Sequence, residues 1–374
     1  MTYINYMSNS YNGHLCIVFA LEHYNPLNMI RAFGENGINP VYISVKRRYE
    51  VACRSKYISK LHRVDSVEEG YKLLMEEYGN MEKKPYIVFS DDKSVGYFDL
   101  HYDEWKDKFI TYNAGRVGRI NEFMDKYNIQ QLAKKHGFNV LDSYVIGKED
   151  PLPEQLCYPI ITKDMSPNSG SWKGDVFVCQ NEEELKESIK KITSPLIMIQ
   201  HFVDKQNEMA LEGYTINRGK DMQIITQMTW KYLIQGYYSP FHNVCMFTDK
   251  EMEHKLQAMF EEIGFEGVFE VEFLIDKDGT FYFMETNFRA SAWNPTCKFA
   301  GMPLDYLWVK GMENGYIDPA DRRVFEPFTS MSEVIDYGKR VEGGMVSIAE
   351  WLRDFKDAKC CLLYTSPCPM GCCN

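Results

Sequence analysis

The chain has 374 residues, 45% hydrophobic and 25% charged, with 42 Lys+Arg against 53 Asp+Glu and a formal net charge of −11. Such usage is that of an ordinary globular chain long enough for two or three domains, and it excludes disordered, collagen-like and coiled-coil classes. The acidic balance excludes a broad nucleic-acid or anionic-membrane surface. No apolar run reaches the ~18 residues of a membrane span, and the apolar stretch 15–21 lacks the basic flank of a signal peptide, so a cytoplasmic protein is expected.

Apolar runs and helical patterns alternate over residues 15–110, with strands at 15–21, 40–45 and 86–90 and helices at 26–36 and 67–78. Strand alternating with helix implies a parallel sheet. The G-x-G-x-x-G phosphate loop is missing, so this Rossmann-like part is expected to shape a substrate pocket rather than to hold a dinucleotide. Apolar positions next recur at helical spacing over 117–136, through Ile120, Phe123, Met124, Tyr127 and Leu132, with Gly137 where a C-cap belongs. Strands at 142–147 and 158–163 follow, then a solvated helix at 181–193 opened by an N-cap Asn, a strand at 197–202 and a helix at 250–263. The fold class is α/β, passing to α+β in the second half.

Residues 267–275 and 280–287 are both strand-like, and Asp278-Gly279 between them is a strong hairpin signal. If those two form the loop, Glu272 lies opposite Glu285 and Glu270 opposite Asn287, all four on one face. Directly opposed carboxylates destabilise a sheet and call for a cation between them. Oxygen donors select a hard ion, and magnesium, which takes only one or two protein carboxylates, suits Glu272, Glu285 and Asn287 better than a closed calcium cage. The competing reading is an exposed polar sheet face. Against it stand the apolar flanks Phe269, Val271, Phe273, Phe281, Phe283 and Met284, which place the hairpin in a core or cleft.

Six cysteines (Cys16, Cys53, Cys157, Cys179, Cys245, Cys297) stand singly and are expected to be reduced core residues. Cys360, Cys361, Cys368, Cys372 and Cys373 crowd residues 360–374, in a spacing that fits no paired zinc knuckle and beside two prolines. Leu-Leu-Tyr-Thr-Ser-Pro within that stretch resembles translated vector sequence, so 360–374 reads as a non-native tail, with a metal-binding tail as the alternative.

The string running from Glu272 through Glu285-Thr-Asn287-Phe-Arg289 resembles the metal-binding signature of the ATP-grasp superfamily, including biotin carboxylase, carbamoyl phosphate synthetase and D-alanine:D-alanine ligase. The resemblance implies that Glu272, Glu285 and Asn287 hold two magnesium ions, or manganese in their place, on the phosphates of ATP. Upstream, Asp125-Lys126 opening a helix and Tyr158-Pro-Ile-Ile-Thr-Lys163 ending a strand resemble the family's two phosphate-contacting lysines. Asn168-Ser-Gly170-Ser171-Trp-Lys-Gly174 resembles the mobile small-residue loop over the phosphates. Gln200-His201-Phe-Val203 resembles the linker that reads adenine through the backbone of His201 and Val203, with Gln200 offering a side-chain oxygen to the adenine amino group. Glu208 takes the place of the ribose-binding acid, and Ile161 and Met284 the place of the apolar sandwich around the base. Taken singly, each lysine reads as a surface charge and the two apolar residues as plain core.

The implied architecture is a Rossmann-like pre-ATP-grasp domain (1–112), an N-lobe (113–197) and a C-lobe with the metal hairpin (198–359). Arg54-Ser-Lys-Tyr57 and Val64-Asp65 are similar to carboxylate–amine ligases that include D-aspartate ligase. No Walker A sequence occurs. The implied activity is ATP-dependent ligation of a small-molecule carboxylate to an amine through an acyl phosphate, with no nucleic-acid or membrane partner. In this scheme Arg289 steadies the transferring phosphate; otherwise it pairs with a neighbour such as Glu270. Residues 289–308, with Asn294, Pro295 and Thr296, would line the acceptor side. The competing readings are a carboxyphosphate-forming enzyme, an inactive ATP-binding regulator, and a hydrolase using the paired glutamates as acid and base. A homodimer is the base-rate expectation for assembly.

Overall fold

The apolar run at 14–21 becomes the central strand of a five-stranded sheet. His14–Leu21 pairs in parallel with Val41–Val45 on one side and Tyr86–Phe89 on the other; Lys60–Val64 extends the first flank, and Ser10–Tyr11 adds a short antiparallel edge. The computed structural model describes residues 8–47, 50–163, 165, 175–234 and 239–360, the last by its backbone. Helices Tyr24–Glu35, Val67–Tyr78 and Asp92–Leu100 cross between or follow these strands. Ser66 and Asp91 cap the second and third by accepting the backbone N–H of Glu69 and Ser94, the side-chain caps that free helix N-termini require. Because Val41–Val45 and Tyr86–Phe89 flank the first strand on opposite sides, the strand ends at Glu22 and Ser90 meet at a topological switch point, where open α/β sheets place ligands.

The helix expected over 117–136 is two helices, Arg119–Met124 and Lys126–Lys135. Asp125 between them has extended backbone (φ −67°, ψ 121°), and its carboxylate accepts the N–H of Asn128. An N-cap signal inside a periodic stretch thus outweighs the periodicity, and it leaves Lys126 as the first residue of its helix.

Ser143–Gly147, Leu196–His201, Ile160–Lys163 and Val178–Cys179 form an antiparallel four-stranded sheet in that order. Helix Glu182–Lys191, capped by Asn181, packs Leu185 into a small core of its own with Ile146, Ile160, Ile197 and Ile199. The strand Leu196–His201 lies wholly in this sheet, across the expected 197/198 boundary.

The third sheet has seven strands, ordered Phe281–Asn287, Gly267–Asp276, Lys205–Ile216, Asp221–Trp230, Phe241–Cys245, Phe328–Met331 and Lys359–Cys360, antiparallel until the last pair. Its core is continuous with that of the first sheet through Phe89, Tyr112, Phe265, Phe288 and Trp308. Two backbone hydrogen bonds between Asn113 and Glu266 (2.8 and 3.0 Å) join the segment that follows the first sheet to this one. Helix Ile348–Asp357 opens with a capping box from Ser347 and Glu350.

Of the six single cysteines, Cys16, Cys179 and Cys297 are buried and unpaired as expected of core thiols, whereas Cys53 and Cys245 are half-buried and Cys157 is exposed. Cys157 sits in the loop before Ile160–Lys163, where no apolar layer covers it. Residues 361–374 of the expected tail lie outside the described residues.

Candidate active site

The carboxylate hairpin has the register expected at its business end, reached by a different route. Its loop is three residues, 277–279, since the Asp276 N–H bonds to the Thr280 carbonyl, and Gly279 adopts φ 79° where a left-handed residue closes such a turn. That shifts the pairing by one, to Ile275↔Phe281 and Phe273↔Phe283, and a bulge at Met284 shifts it back. Glu272 therefore pairs with Glu285 and Glu270 with Asn287. Phe269, Val271, Phe273 and Phe283 are fully buried, while Phe281 at the tip is exposed.

The Asn287 amide nitrogen donates to Glu270 Oε2 and Glu272 Oε1, both at 3.1 Å. Lys126, projected by the first turn of its helix, lies 3.0 Å from Glu285 Oε2. The Lys126 ammonium beside it holds Glu285 below the usual carboxylate range, whereas burial and then Glu285 push Glu272 well above it. Two opposed carboxylates, of which among the described residues one is ion-paired to a lysine, with an amide oxygen to hand, form an all-oxygen donor set that fits a hard divalent ion. Among the described residues, no group of three or more His, Cys, Asp or Glu side chains is placed to hold a metal ion by itself. Magnesium does not need one, since it fills its octahedron with water and phosphate oxygens.

Lys163 ends its strand with Nζ 2.8 Å from Gln200 Oε1. Burial, and then Lys126, bring its ammonium down to about 8. Gln200 is fully buried, and its amide nitrogen donates to Gln130 (2.9 Å) and Ser143 (2.8 Å). Gln130 in turn donates to the Met284 carbonyl at 2.9 Å. The Gln200 side chain thus ties the small sheet to the hairpin and holds Lys163 through its oxygen. The backbone N–H of His201 bonds to the Asp142 carbonyl and its ring to the Cys157 carbonyl, and Val203 follows two residues beyond the strand end. Ile161 and Met284 are half-buried. Glu208 pairs with Lys205 at 2.5 Å, and burial raises its carboxyl. Gly170 and Ser171 lie outside the described residues.

Arg289 reaches Glu270 Oε2 (3.4 Å), the pairing of the competing reading, and also Asp92 at the end of strand Tyr86–Phe89, with Nε 3.1 Å from Oδ1 and Nη2 3.4 Å from Oδ2. Among the described residues one hydrogen of each terminal nitrogen is engaged, which leaves the second ones able to meet a phosphate oxygen. A cavity of about 480 Å³ between Arg116, Arg119, Arg218 and Gly264 is separate from this cluster. Its basic lining is accounted for in part by Arg119, which donates to the Glu262 and Ile263 carbonyls at the end of helix Lys250–Ile263.

No family model matches the chain. A stretch of 172 residues is 28% identical to the D-alanine–D-alanine ligase of Fusobacterium nucleatum, covering 44% of this chain and 55% of that protein. Another of 169 residues is 26% identical to the N5-carboxyaminoimidazole ribonucleotide synthase of Staphylococcus haemolyticus, covering 44% of each. The matches thus span about half the length of these curated relatives. Among solved structures, the L-amino acid ligase of Bacillus licheniformis superposes with a TM-score of 0.66 at 12% identity, over 84% of this chain and 79% of that one. The ADP complex of N5-carboxyaminoimidazole synthetase from Staphylococcus aureus gives 0.64 at 16% identity, over 88% and 85%. The chain has the ATP-grasp fold.

Within this ATP-grasp fold two acidic groups went unread in the sequence. Asp92 follows Asp91 at the end of a strand, where the pair signals only a helix start. Glu212 sits on Lys205–Ile216 opposite Glu270, fully buried. Its Oε1 accepts from Ser291, its Oε2 has no hydrogen-bond partner among the described residues, and burial and then Glu270 push its carboxyl well up. The alternation of Glu208, Ala210 and Glu212 along that strand was the available signal. Among the described residues no helix is long and apolar enough to cross a membrane.

Proposed function

We propose that this chain is an ATP-dependent carboxylate–amine ligase, which activates a small carboxylate as an acyl phosphate and couples it to an amine with release of ADP and phosphate. The observation that carries the reading is the opposed pair Glu272/Glu285 with Asn287, bracketed by Lys126 and Lys163 and followed by Arg289. Glu272, Glu285 and Asn287 are the residues that would hold magnesium on the ATP phosphates, where it supplies charge neutralisation.

Phosphoryl transfer depends on alignment and electrostatic stabilisation rather than on covalent help from the protein. Lys126, opening its helix, and Lys163, ending its strand, stand beside the carboxylate pair and would contact phosphate oxygens as charge-assisted donors. A carboxylate oxygen of the substrate attacks the γ-phosphorus, and the bond to ADP breaks. The amine nitrogen then attacks the acyl carbon, the carbon–oxygen bond to phosphate breaks, and the nitrogen loses a proton. In both steps negative charge builds up on the transferring phosphate or the acyl oxygen, where the guanidinium of Arg289 would meet it.

The test is ADP release with magnesium and ATP against pooled amino acids, dipeptides and small carboxylates, with products read by mass. ADP together with a new amide mass is expected. ADP release that requires bicarbonate and gives a carbamate would replace this reading with the carboxyphosphate one. ATP binding without any turnover would replace it with a regulatory role.

A further inference from the structure

Asp91 and Asp92 stand side by side at the end of the strand Tyr86–Phe89, but only one serves the local fold. Asp91 caps its helix, taking the N–H groups of Ser94 (2.8 Å) and Leu21 (2.9 Å) and the Ser94 hydroxyl. Asp92, in the first turn, turns away from that work and meets Arg289 fork to fork across the domain boundary, 197 residues later in the chain. The side chains are only 16% and 22% exposed, so water screens the pair less than it would a surface ion pair.

The backbone beside Arg289 is fixed by the same domain. The Ala290 N–H bonds to the Phe89 carbonyl at 3.2 Å, and Phe288 and Phe89 are both fully buried in the shared core. Without Asp92, the guanidinium would keep, among the described residues, Glu270 alone, a single contact at 3.4 Å on a long flexible side chain. The bidentate contact fixes the plane of the guanidinium as well as its position.

Building on the ligase reading above, we propose that Asp92 is a positioning residue for Arg289: it holds the guanidinium in the plane required for phosphoryl transfer, and so makes turnover conditional on the first domain being docked against the carboxylate hairpin. The substrate is then bound between two domains that share one catalytic arginine.

The experiment is a double-mutant cycle on the full chain, comparing wild type, Asp92→Ala, Arg289→Ala and the double variant for kcat and for KM of ATP on the ligated pair. Asp92→Ala is expected to lower kcat about a hundredfold, the loss that about 1 Å of misplacement can cause, with KM for ATP little changed. In the Arg289→Ala background the same change should cost nothing further, because residues acting through one another do not add. Asp92→Asn, which keeps the acceptor oxygen, should recover part of the loss and serves in place of Asp92→Ala if that variant does not fold. Losses that multiply across the cycle, or a kcat that Asp92→Ala leaves unchanged, would overturn the proposal while leaving the ligase reading intact. A wild-type chain that turns over no carboxylate–amine pair would remove the ligase reading and this inference with it.

Discussion

Replacing Glu285 by glutamine is expected to cut magnesium-dependent turnover by about a hundred- to a thousandfold, the cost of losing a group that stabilises developing charge, while leaving the fold in place. The two effects separate because the substitution is nearly isosteric and acts oppositely on the two neighbours of Glu285. Lys126 loses its partner at 3.0 Å, yet it keeps some exposure to water. Glu272, pushed up by burial and by Glu285 itself, is relieved of a facing carboxylate. The thermal midpoint should therefore stay within a few degrees of wild type. The checks are an ADP-release assay across a magnesium titration and a melting curve of the same preparation. Full activity in the variant would remove the metal assignment.

Lys163→Ala is expected to raise KM for ATP by about ten- to a hundredfold, which is the ~1.5–3 kcal/mol of a hydrogen bond to a charged group at about 1.4 kcal/mol per decade. The position of Lys163 also sets a pH signature. Burial and then Lys126 bring its ammonium to about 8, so the protonated form that a phosphate needs is present below that pH and lost above it. The kcat/KM for ATP should thus be flat below pH ~8 and fall with unit slope above it, and Lys163→Arg, which stays charged, should remove the fall. The stability linkage has the opposite sense. With an unfolded value near ~10.4, the unfolded chain binds more protons between pH ~8 and ~10.4, so stability rises with pH across that window and the cost of the buried charge is present below it. A flat profile with unchanged ATP dependence in Lys163→Ala would make it a structural lysine held by Gln200.

What could be read from the sequence divides by range. Local signals carried far: the strands and helices of the first domain follow from apolar runs and caps, and Glu272 faces Glu285 as the hairpin pattern implies. The route to that register was not legible, because a three-residue loop and a bulge at Met284 each shift the pairing by one and cancel. Periodicity alone fuses two helices, since Ile120, Phe123 and Met124 before Asp125 and Tyr127 and Leu132 after it keep step through the break. Gln200 was placed correctly on its strand, but the partner of its oxygen depends on Lys163, brought alongside by strand pairing. The alternation along its strand hints at the face of Glu212, but the partners of Asp92 and Glu212 are not legible, because each acts on a residue brought near only by tertiary packing.

The most direct measurement of the central claim is to supply the carboxylate substrate with both oxygens labelled as ¹⁸O and weigh the phosphate released with the amide. Activation through an acyl phosphate predicts that one labelled oxygen passes from each carboxylate to each phosphate, because the bond broken by the amine lies between the acyl carbon and that oxygen. Phosphate that leaves unlabelled while amide accumulates would contradict phosphorylation of the carboxylate and, with it, the account of what Lys126, Lys163, Glu272, Glu285, Asn287 and Arg289 do together.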